Sequence, residues 1–414
     1  MEDQHTPRAR APSLFKRRTP VGPSSATDSQ CCYQADSTPY LRNMKCLLPF
    51  PSALAAALAP LLVLSVLFNM SLPLAHCEQL APLRLRPVTP GRALAGINLS
   101  GAEFGGKLPG VVGKEYTYPT PGELDYFHAR GRTLIRLPFR WERMQRSLNA
   151  PLDLHELILL RGVLRAAGQR RMRVILDLHS YGRYQVPSEE GQIIGTERVP
   201  VAAFADFWSK LAQAVKNEPG LYAYGLMNEP HDMGDVERWP RAAQAAVESI
   251  RRVDMRTPII VPGDDWSSAR RWRESTNKEL HLKVRDPRNN LIFEAHCYFD
   301  KDGSGTYKGT YEAESASPNA GVEYARPFVE WCRENRVRGF IGEYGVPNTD
   351  TRWLITMDRF LAYLDANNIS SAYWSAGPWW GGYALSIEPE DLDDKAPQTA
   401  IDRPQMIVLR QYRG

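Results

Sequence analysis

From residue 93 onward, short apolar runs alternate with longer amphipathic segments. The short runs are rich in Val, Ile and Leu and have the length of buried strands. The segments between them repeat their apolar positions every three to four residues, as helices do. The predicted strands are residues 94–98, 132–138, 172–178, 222–228, 258–262, 291–296, 338–343 and 370–375. The predicted helices are residues 153–170, 200–217, 236–253, 319–336 and 351–367.

This order of elements predicts an α/β fold. Eight strands over roughly 320 residues, each followed by a crossover, have the number and size expected of a closed parallel (β/α)₈ barrel, or TIM barrel. An open, doubly wound sheet is the structural alternative. No glycine-rich phosphate-binding sequence follows the first strand, which favours the barrel. We therefore predict that residues 93–414 form a TIM-barrel domain.

The first 92 residues differ in composition from the rest of the chain. Residues 1–43 are rich in Pro, Ser, Thr and Arg without a hydrophobic period, which predicts a disordered leader. Residues 44–77 contain an uncharged stretch that fits either a cleaved signal peptide or a membrane anchor. If the signal peptide starts at Met44, the leader need not be translated. Residues 78–92 are expected to be a linker, and both alternatives place the barrel outside the cytoplasm, secreted or at the cell envelope.

Charge and cysteine usage exclude two classes of function. The net charge is only +4 and the arginines are scattered, so nucleic acid is not an expected partner. No cysteine and histidine spacing matches a zinc site, and we expect neither a metal nor another cofactor. Cys297 and Cys332 are the only cysteines of the predicted domain, and they could form a disulfide or remain free thiols. We expect a monomer that contacts a membrane only through an uncleaved residue 46–75 segment.

Two predicted strands lead into a glutamate. Glu229 lies in the sequence GLMNEP of residues 225–230, and Glu343 lies in GFIGEYG of residues 339–345. Carboxylates are rarely buried unless they are paired or have a chemical role. Cleavage of a glycosidic bond requires two of them, one as acid and base and the other as nucleophile. Two unrelated structural ion pairs are the alternative interpretation.

Other side chains capable of chemistry also lie at the ends of predicted strands. In a (β/α)₈ barrel, the carboxyl ends of the strands carry the active site. Buried structural histidines are the alternative for two of these residues. Their presence at so many strand ends favours one shared site. The residues are Arg136, His179, Asn228, Glu229, His296, Tyr298, Glu343 and Trp374.

The two glutamates are predicted to have different roles. Glu343, the predicted nucleophile, must be ionised, and we expect Arg136 or Tyr298 to hold its pKa low. Glu229, the predicted acid/base, must be protonated when the leaving sugar oxygen departs and must then activate water. Activity should therefore follow a bell-shaped pH profile whose apparent pKa values belong to the pair.

These strand-end residues, in this order and at these spacings, resemble glycoside hydrolase family 5, a family of retaining β-glycanases on (β/α)₈ barrels. The resemblance covers residues 94–382. It implies a carboxyl separation of about 5 to 5.5 Å and a hydrogen bond from Asn228 to the sugar 2-hydroxyl. Residues 96–98, 182–184 and 377–381 resemble the branch that contains secreted endo-β-1,4-glucanases.

Aromatic side chains at the same end of the predicted barrel indicate the substrate class. The apolar faces of sugar rings pack on aromatic planes, and tryptophan offers the largest one. Trp208, Trp331 and Trp353 lie in predicted helices and are expected to pack in the core, whereas Trp141 and Trp272 could do either. The residues expected to line an open cleft are Trp374, Trp266, Trp379, Trp380, Tyr181 and Tyr184.

The sequence thus predicts a retaining endo-β-1,4-glucanase that hydrolyses internal bonds of cellulose-like β-glucans by double displacement, without a cofactor. Xyloglucanase, mannanase and β-1,3-glucanase activities are alternatives, because they would share the catalytic residues. A non-catalytic glycan-binding barrel is a further alternative. The presence of both Glu229 and Glu343 argues against it.

Overall fold

The computed structural model describes residues 93–185 and 191–414. The predicted leader (1–43), signal or anchor (44–77) and linker (78–92) therefore lie outside the described residues. In chain order, the described strands and α-helices are β1 (Ala95–Leu99), α1 (Pro121–Ala129), β2 (Leu134–Phe139), α2 (Trp141–Met144), α3 (Leu154–Gln169), β3 (Arg173–Leu178), β4 (Arg183–Tyr184), β5 (Gln192–Ile193), α4 (Val201–Val215), β6 (Leu221–Gly225), α5 (Arg238–Arg251), β7 (Ile259–Pro262), α6 (Leu280–Lys283), β8 (Leu291–His296), α7 (Ala320–Asn335), β9 (Arg338–Tyr344), α8 (Arg352–Ala366), β10 (Ser370–Ala376) and α9 (Met406–Leu409).

Eight of these strands close into a barrel in the order β1, β2, β3, β6, β7, β8, β9 and β10, and β10 pairs with β1. All the barrel pairs are parallel, because a helix returns the chain across the outside between consecutive strands. The predicted TIM barrel is confirmed. The short strands β4 and β5 form a separate antiparallel pair in the connection that follows β3.

Local sequence signals start two of the outer helices. Thr120 and Glu123 form a reciprocal capping box at the start of α1, in which each side chain accepts the other residue's backbone N–H. The Asp153 carboxylate accepts the Glu156 N–H at the start of α3, as its position in the sequence predicted.

In the described part of the chain, no helix is both long enough and apolar enough to cross a membrane.

The barrel interior changes from apolar to polar along the strands. An apolar layer closes the end where the strands begin. Because side chains alternate along a strand, residues two positions further on also point inward, and three of these are charged: Arg136, Asp177 and Glu294. This charged layer lies directly below the carboxyl ends of the strands. The apolar layer consists of Leu94, Leu134, Ile175, Ala223, Ile260, Ile292, Phe340 and Ala372.

The main core lies between the barrel and its helices. Trp208, Trp331 and Trp353 are buried there, which confirms the packing role predicted for them. Trp141 and Trp272, for which the sequence left two roles open, are also fully buried. Cys297 and Cys332 are buried as free thiols. The structure therefore holds no disulfide between these two cysteines.

Candidate active site

Arg136 lies at the centre of the polar layer, and its guanidinium is fully buried. It donates hydrogen bonds to Asn98 Oδ1 at 3.0 Å, to Asn228 Oδ1 at 2.7 Å and to Glu343 Oε1 at 3.1 Å. Burial alone lowers the pKa of Arg136, but the surrounding carboxylates raise it above its usual value. Arg136 is therefore a permanent cation that orients two of the predicted site residues, Asn228 and Glu343.

Asp177 and Glu294 are two further carboxylates beside Arg136, at 3.1 and 2.9 Å from its nitrogens. Neither is among the residues predicted from the sequence. Each precedes a predicted histidine by two positions, so strand alternation would have found them. The space for Glu294 depends on Gly342, because a Cβ atom there would lie 1.8 Å from Glu294 Oε1.

A bulge in β9 turns Glu343 into the barrel. Ala295 pairs with Ile341, but the next residue of β8, His296, pairs with Glu343, so β9 contains one extra residue. Phe340 belongs to the interior layer, and strict alternation from it would point Glu343 toward the helices. The extra residue reverses this direction and brings the carboxylate inside.

The Glu343 carboxylate is buried and fully partnered. Besides the bond from Arg136, the Tyr298 hydroxyl donates to Glu343 Oε2 at 2.8 Å, and His296 Nδ1 lies 3.6 Å from the same oxygen. Burial raises the pKa of Glu343, while His296 and Arg136 oppose the rise and Glu229 adds to it. The expected low pKa is wrong, because desolvation outweighs the nearby positive charges. Glu343 therefore depends on those cations to be ionised.

Glu229 lies on a loop just beyond β6, which ends at Gly225, earlier than the predicted 222–228 strand. Its φ angle of +41° is in the left-handed region, which costs a non-glycine residue about 1–3 kcal/mol. Its side chain is 18% exposed, and Oε1 lies 2.7 Å from His296 Nδ1. One oxygen of Glu229, one oxygen of Glu343 and a ring nitrogen of His296 all lie within 4.8 Å of one another. The two carboxyl groups thus face each other across a narrow gap.

His296 joins the two glutamates. Its Nδ1 contacts Glu229, and its Nε2 lies 3.4 Å from Glu294 Oε1. Burial by itself lowers the pKa of His296, but the three carboxylates of Glu343, Glu229 and Glu294 raise it to about 10. At neutral pH His296 is therefore a cation that donates a hydrogen bond to Glu229. The atoms of Glu229, His296 and Glu343 are also close enough together to hold a metal ion, but a protonated His296 has no ring nitrogen free to bind one.

His179 connects the charged layer to the aromatic surface. Its Nδ1 lies 2.7 Å from Asp177 Oδ2, and its Nε2 lies 3.1 Å from the Tyr181 hydroxyl and 3.3 Å from Asn228 Nδ2. Burial lowers the pKa of His179 well below its usual value, so the ring is neutral. Nδ1 then carries the hydrogen and Nε2 accepts. The ring also stacks on Trp374, with centroids 5.5 Å apart.

The predicted aromatic residues differ in exposure. Trp374 is half-buried and meets Trp380 edge to face at 5.8 Å. Trp266 and Trp379 are each 42% exposed. Trp266 is stacked on His231, with centroids 4.4 Å apart. The exposed faces of these tryptophans are available to pack against sugar rings.

Tyr184 is a correction to the predicted set. It is only 4% exposed, its hydroxyl donates to the Gln145 carbonyl oxygen, and its ring packs edge to face on Trp141. Tyr184 therefore anchors β4 to the core and does not line a cleft. Tyr181, which was predicted to line the same cleft, does belong to the site, because its hydroxyl contacts His179 Nε2.

Comparison with known proteins agrees with this geometry. Residues 94–379, more than half of the chain, match the cellulase family, glycosyl hydrolase family 5. Endo-beta-1,4-glucanase B of Aspergillus niger is 33% identical over 301 residues, which cover 72% of this chain and 85% of that protein. Endoglucanase 3 of Humicola insolens is also 33% identical, covering 71% of this chain and 72% of that protein.

A solved structure extends the comparison to three dimensions. Endoglucanase Cel5A of Pseudomonas stutzeri, in complex with cellobiose, is 42% identical, with a TM-score of 0.71. The alignment covers 80% of this chain and 95% of that one. Sequence, barrel topology and similarity to known enzymes agree, and the chain belongs to glycoside hydrolase family 5.

Proposed function

We propose that this protein is a retaining endo-β-1,4-glucanase that hydrolyses internal bonds of cellulose-like polysaccharides. The observation that carries the proposal is the approach of Glu229 and Glu343, with one oxygen of each within 4.8 Å. Retaining enzymes hold their carboxyl groups about 5–5.5 Å apart, whereas inverting enzymes need about 6.5–9.5 Å to fit a water. The names of the relatives at 33% and 42% identity support the endoglucanase activity.

In the first step, a carboxylate oxygen of Glu343 attacks the anomeric carbon of the sugar. The bond from that carbon to the glycosidic oxygen breaks as Glu229 gives its proton to the departing oxygen. Arg136 and Tyr298 hold one Glu343 oxygen each, so the carboxylate keeps its orientation as its charge is lost. The products are a glycosyl ester on Glu343 and a shortened chain with a free hydroxyl group.

In the second step, Glu229 acts as a base. It removes a proton from a water molecule, whose oxygen attacks the anomeric carbon and releases Glu343 as a carboxylate. His296 contacts Glu229 at 2.7 Å and lies 3.6 Å from Glu343, so its positive charge acts on both groups. Two displacements at one carbon restore the original β configuration.

The aromatic residues support a polymeric substrate. Trp374, stacked on His179, is the proposed floor under the sugar at the cleavage point. Trp266 and Trp379 offer exposed faces for further sugar units. Asn228, held by Arg136, is the proposed partner of the sugar 2-hydroxyl.

An enzyme that binds an insoluble polymer must meet it outside the cytoplasm. Secretion or attachment at the cell envelope is therefore part of this proposal.

Two substitutions test the assignment of the glutamates. Glu343→Gln should reduce turnover to less than about one thousandth, a loss of more than about 4 kcal/mol in transition-state stabilisation, because an amide is not a nucleophile. Glu229→Ala should lose activity on polysaccharide but still form the glycosyl ester from substrates with good leaving groups. Initial rates and a pre-steady-state burst measure the two effects.

Glu156→Gln is the matched control. Glu156 is equally buried, but it lies on α3, where Tyr116 and Tyr118 donate to its carboxylate. It should retain activity per folded molecule. If Glu343→Gln kept more than about one thousandth of the wild-type turnover, the assignment of Glu343 as nucleophile would be contradicted.

Product yields on carboxymethylcellulose, xyloglucan, mannan and laminarin then test the preferred polymer. A preference for any of the last three would replace the cellulose assignment.

A further inference from the structure

The backbone around Glu229 is held by contacts that the two catalytic steps do not use. His231 Nδ1 lies 2.9 Å from the carbonyl oxygen of Glu229 itself. The backbone N–H of Trp266 donates to the Pro230 carbonyl at 3.2 Å. Arg183 Nη1 donates to the His231 carbonyl at 3.1 Å. These bonds enclose the residue whose φ angle is +41°, so the strained conformation is fixed from several sides.

The protonation state of His231 follows from its neighbours. The Glu229 carbonyl oxygen can only accept, so Nδ1 must carry the hydrogen. Nε2 is then an acceptor, and it faces Arg183 Nη1 at 3.4 Å. Burial lowers the pKa of His231, which agrees with a neutral ring. The ring also lies flat on Trp266, with 6° between the planes. Its orientation is therefore fixed both by packing and by hydrogen bonding.

Arg183 links this loop to the one that follows β3. Its Nη1 also donates to the Tyr181 carbonyl at 2.7 Å. Tyr181 has a left-handed φ angle of +54°, and its hydroxyl contacts His179. One guanidinium thus restrains two strained segments that meet at the site. His231 and Arg183 contact Glu229 and Tyr181 through backbone carbonyl oxygens.

We propose that His231 and Arg183 are positioning residues for proton transfer, which hold the Glu229 backbone so that its carboxyl group points toward His296 and the cleavage point. The inference rests on the proposed function, since it requires Glu229 to be the acid/base. Loosening the backbone should slow the steps in which Glu229 moves a proton. It should leave the attack of Glu343 on an activated substrate nearly unchanged.

Two substitutions at His231 separate its hydrogen bond from its packing. His231→Phe keeps a flat ring on Trp266 but removes the donor to Glu229. His231→Asn offers an amide N–H close to the place of Nδ1 but removes the ring. His155→Phe is the matched control, because His155 lies on α3 with 64% of its side chain exposed. Melting temperatures show whether each variant is folded.

The readout is the dependence of kcat/KM on the leaving group of aryl β-cellobiosides. Dinitrophenolate leaves without a proton, whereas phenolate needs one from the general acid, whose contribution is about 10²–10⁴-fold. His231→Phe should lose about tenfold or more on the phenyl substrate but less than about threefold on the dinitrophenyl substrate. His231→Asn and His155→Phe should keep the wild-type ratio of the two rates.

Glu229→Ala calibrates the assay, because it shows the leaving-group effect of losing the acid entirely. If His231→Phe lost kcat/KM equally on both substrates, or lost none on either, the inference would be overturned. The proposed function would then be unaffected. The same result for His231→Asn as for His231→Phe would overturn the role of the hydrogen bond. No leaving-group effect in Glu229→Ala would overturn the proposed function and this inference with it. If His231→Phe does not fold, Arg183→Met should show the same selective loss, and its absence would overturn the inference.

Discussion

At the scale of single residues, two cations organise the site. Arg136 and His296 stand among four carboxylates, and burial strengthens each attraction because the local dielectric is low. Arg136 is charged at every accessible pH, whereas the carboxylates hold the pKa of His296 at about 10. The carboxyl group of Glu343 thus lies between one permanent and one titratable cation. Both cations together, and not a single ion pair, therefore favour the ionised form of Glu343 that attacks the sugar.

Glu388 is a buried carboxyl group outside the site, and it makes stability depend on pH. Its Oε2 accepts the Gly377 N–H at 2.9 Å, at the start of the segment that carries Trp379. Burial, and then the charge of Glu123, raises the pKa of Glu388 from its ordinary 4.5 to about 8. Because the folded-state pKa lies above the unfolded one, the associated stability is complete below pH 4.5 and is lost as the pH rises through 8.

Glu388→Gln tests this linkage. A glutamine cannot ionise, so the melting temperature of the variant should fall less than that of the wild type between about pH 5 and pH 9. Glu390→Gln is the control, because Glu390 is an exposed neighbour in a surface pair with Arg403. The wild type and Glu388→Gln would show the same pH dependence if the carboxyl group were ionised throughout.

The location of a residue in the site was predictable where its position at the end of a strand decides that location. The ends of parallel strands meet at one edge, so Arg136, His296 and Glu343 were expected together, and the structure joins them. The pKa of Glu343 was not predictable, because burial depends on the whole barrel. Tyr184 was wrongly placed in a cleft, since nothing in the sequence shows that Trp141 packs against it.

At the scale of elements, periodicity predicted the strands well and the local irregularities poorly. The strand 291–296 was predicted with its observed bounds, but β6 ends at Gly225 and not at residue 228. Apolar residues continue past Gly225, so the pattern could not reveal that the chain leaves the sheet there. The bulge that turns Glu343 inward likewise has no hydrophobic signature.

Two glycines of α3 offer a matched test of this helix. Gly162 is exposed, and an added Cβ atom would meet nothing within 4 Å, so Gly162→Ala should stabilise the fold by about 0.5–1 kcal/mol. At Gly168 the same atom would lie 2.8 Å from Pro219 and from the Gly220 nitrogen. Gly168→Ala should therefore lower the midpoint of thermal unfolding, whereas Gly162→Ala raises it. If the midpoint of thermal unfolding fell in both variants, the finding that a Cβ atom at Gly162 meets no neighbour would be contradicted.

At the scale of the whole molecule, the number of strands and the lack of a glycine-rich phosphate-binding sequence after the first strand predicted the fold. Eight strand and helix units of this length satisfy the geometry of a closed barrel, and the structure closes through β1 and β10. The first strand was predicted to begin at residue 94, and β1 begins at Ala95. The fate of the preceding 92 residues remains a prediction.

We predict that the segment 44–77 is removed as a signal peptide. Prolines at 49, 51, 60 and 73 interrupt a spanning helix, and the apolar centre has the length of a signal sequence. The protein in culture fluid should then begin between His76 and Pro82, which intact-mass analysis would detect. An anchor would leave the full-length chain in the membrane fraction, to be released by detergent. Uncleaved chain in the soluble cytoplasmic fraction would contradict both fates and the proposed contact with an external polymer.

The central claim is that Glu343 attacks the sugar and Glu229 supplies the proton. Its most direct test is a 2-deoxy-2-fluoro-β-cellobioside with a dinitrophenyl leaving group, which allows the glycosyl-enzyme to form but slows its hydrolysis. Mass spectrometry of the inactivated protein should show one added fluorocellobiosyl group, and peptide mapping should place it on Glu343. Label on any other residue, or hydrolysis that releases the inverted α-anomer without a covalent adduct, would contradict the account.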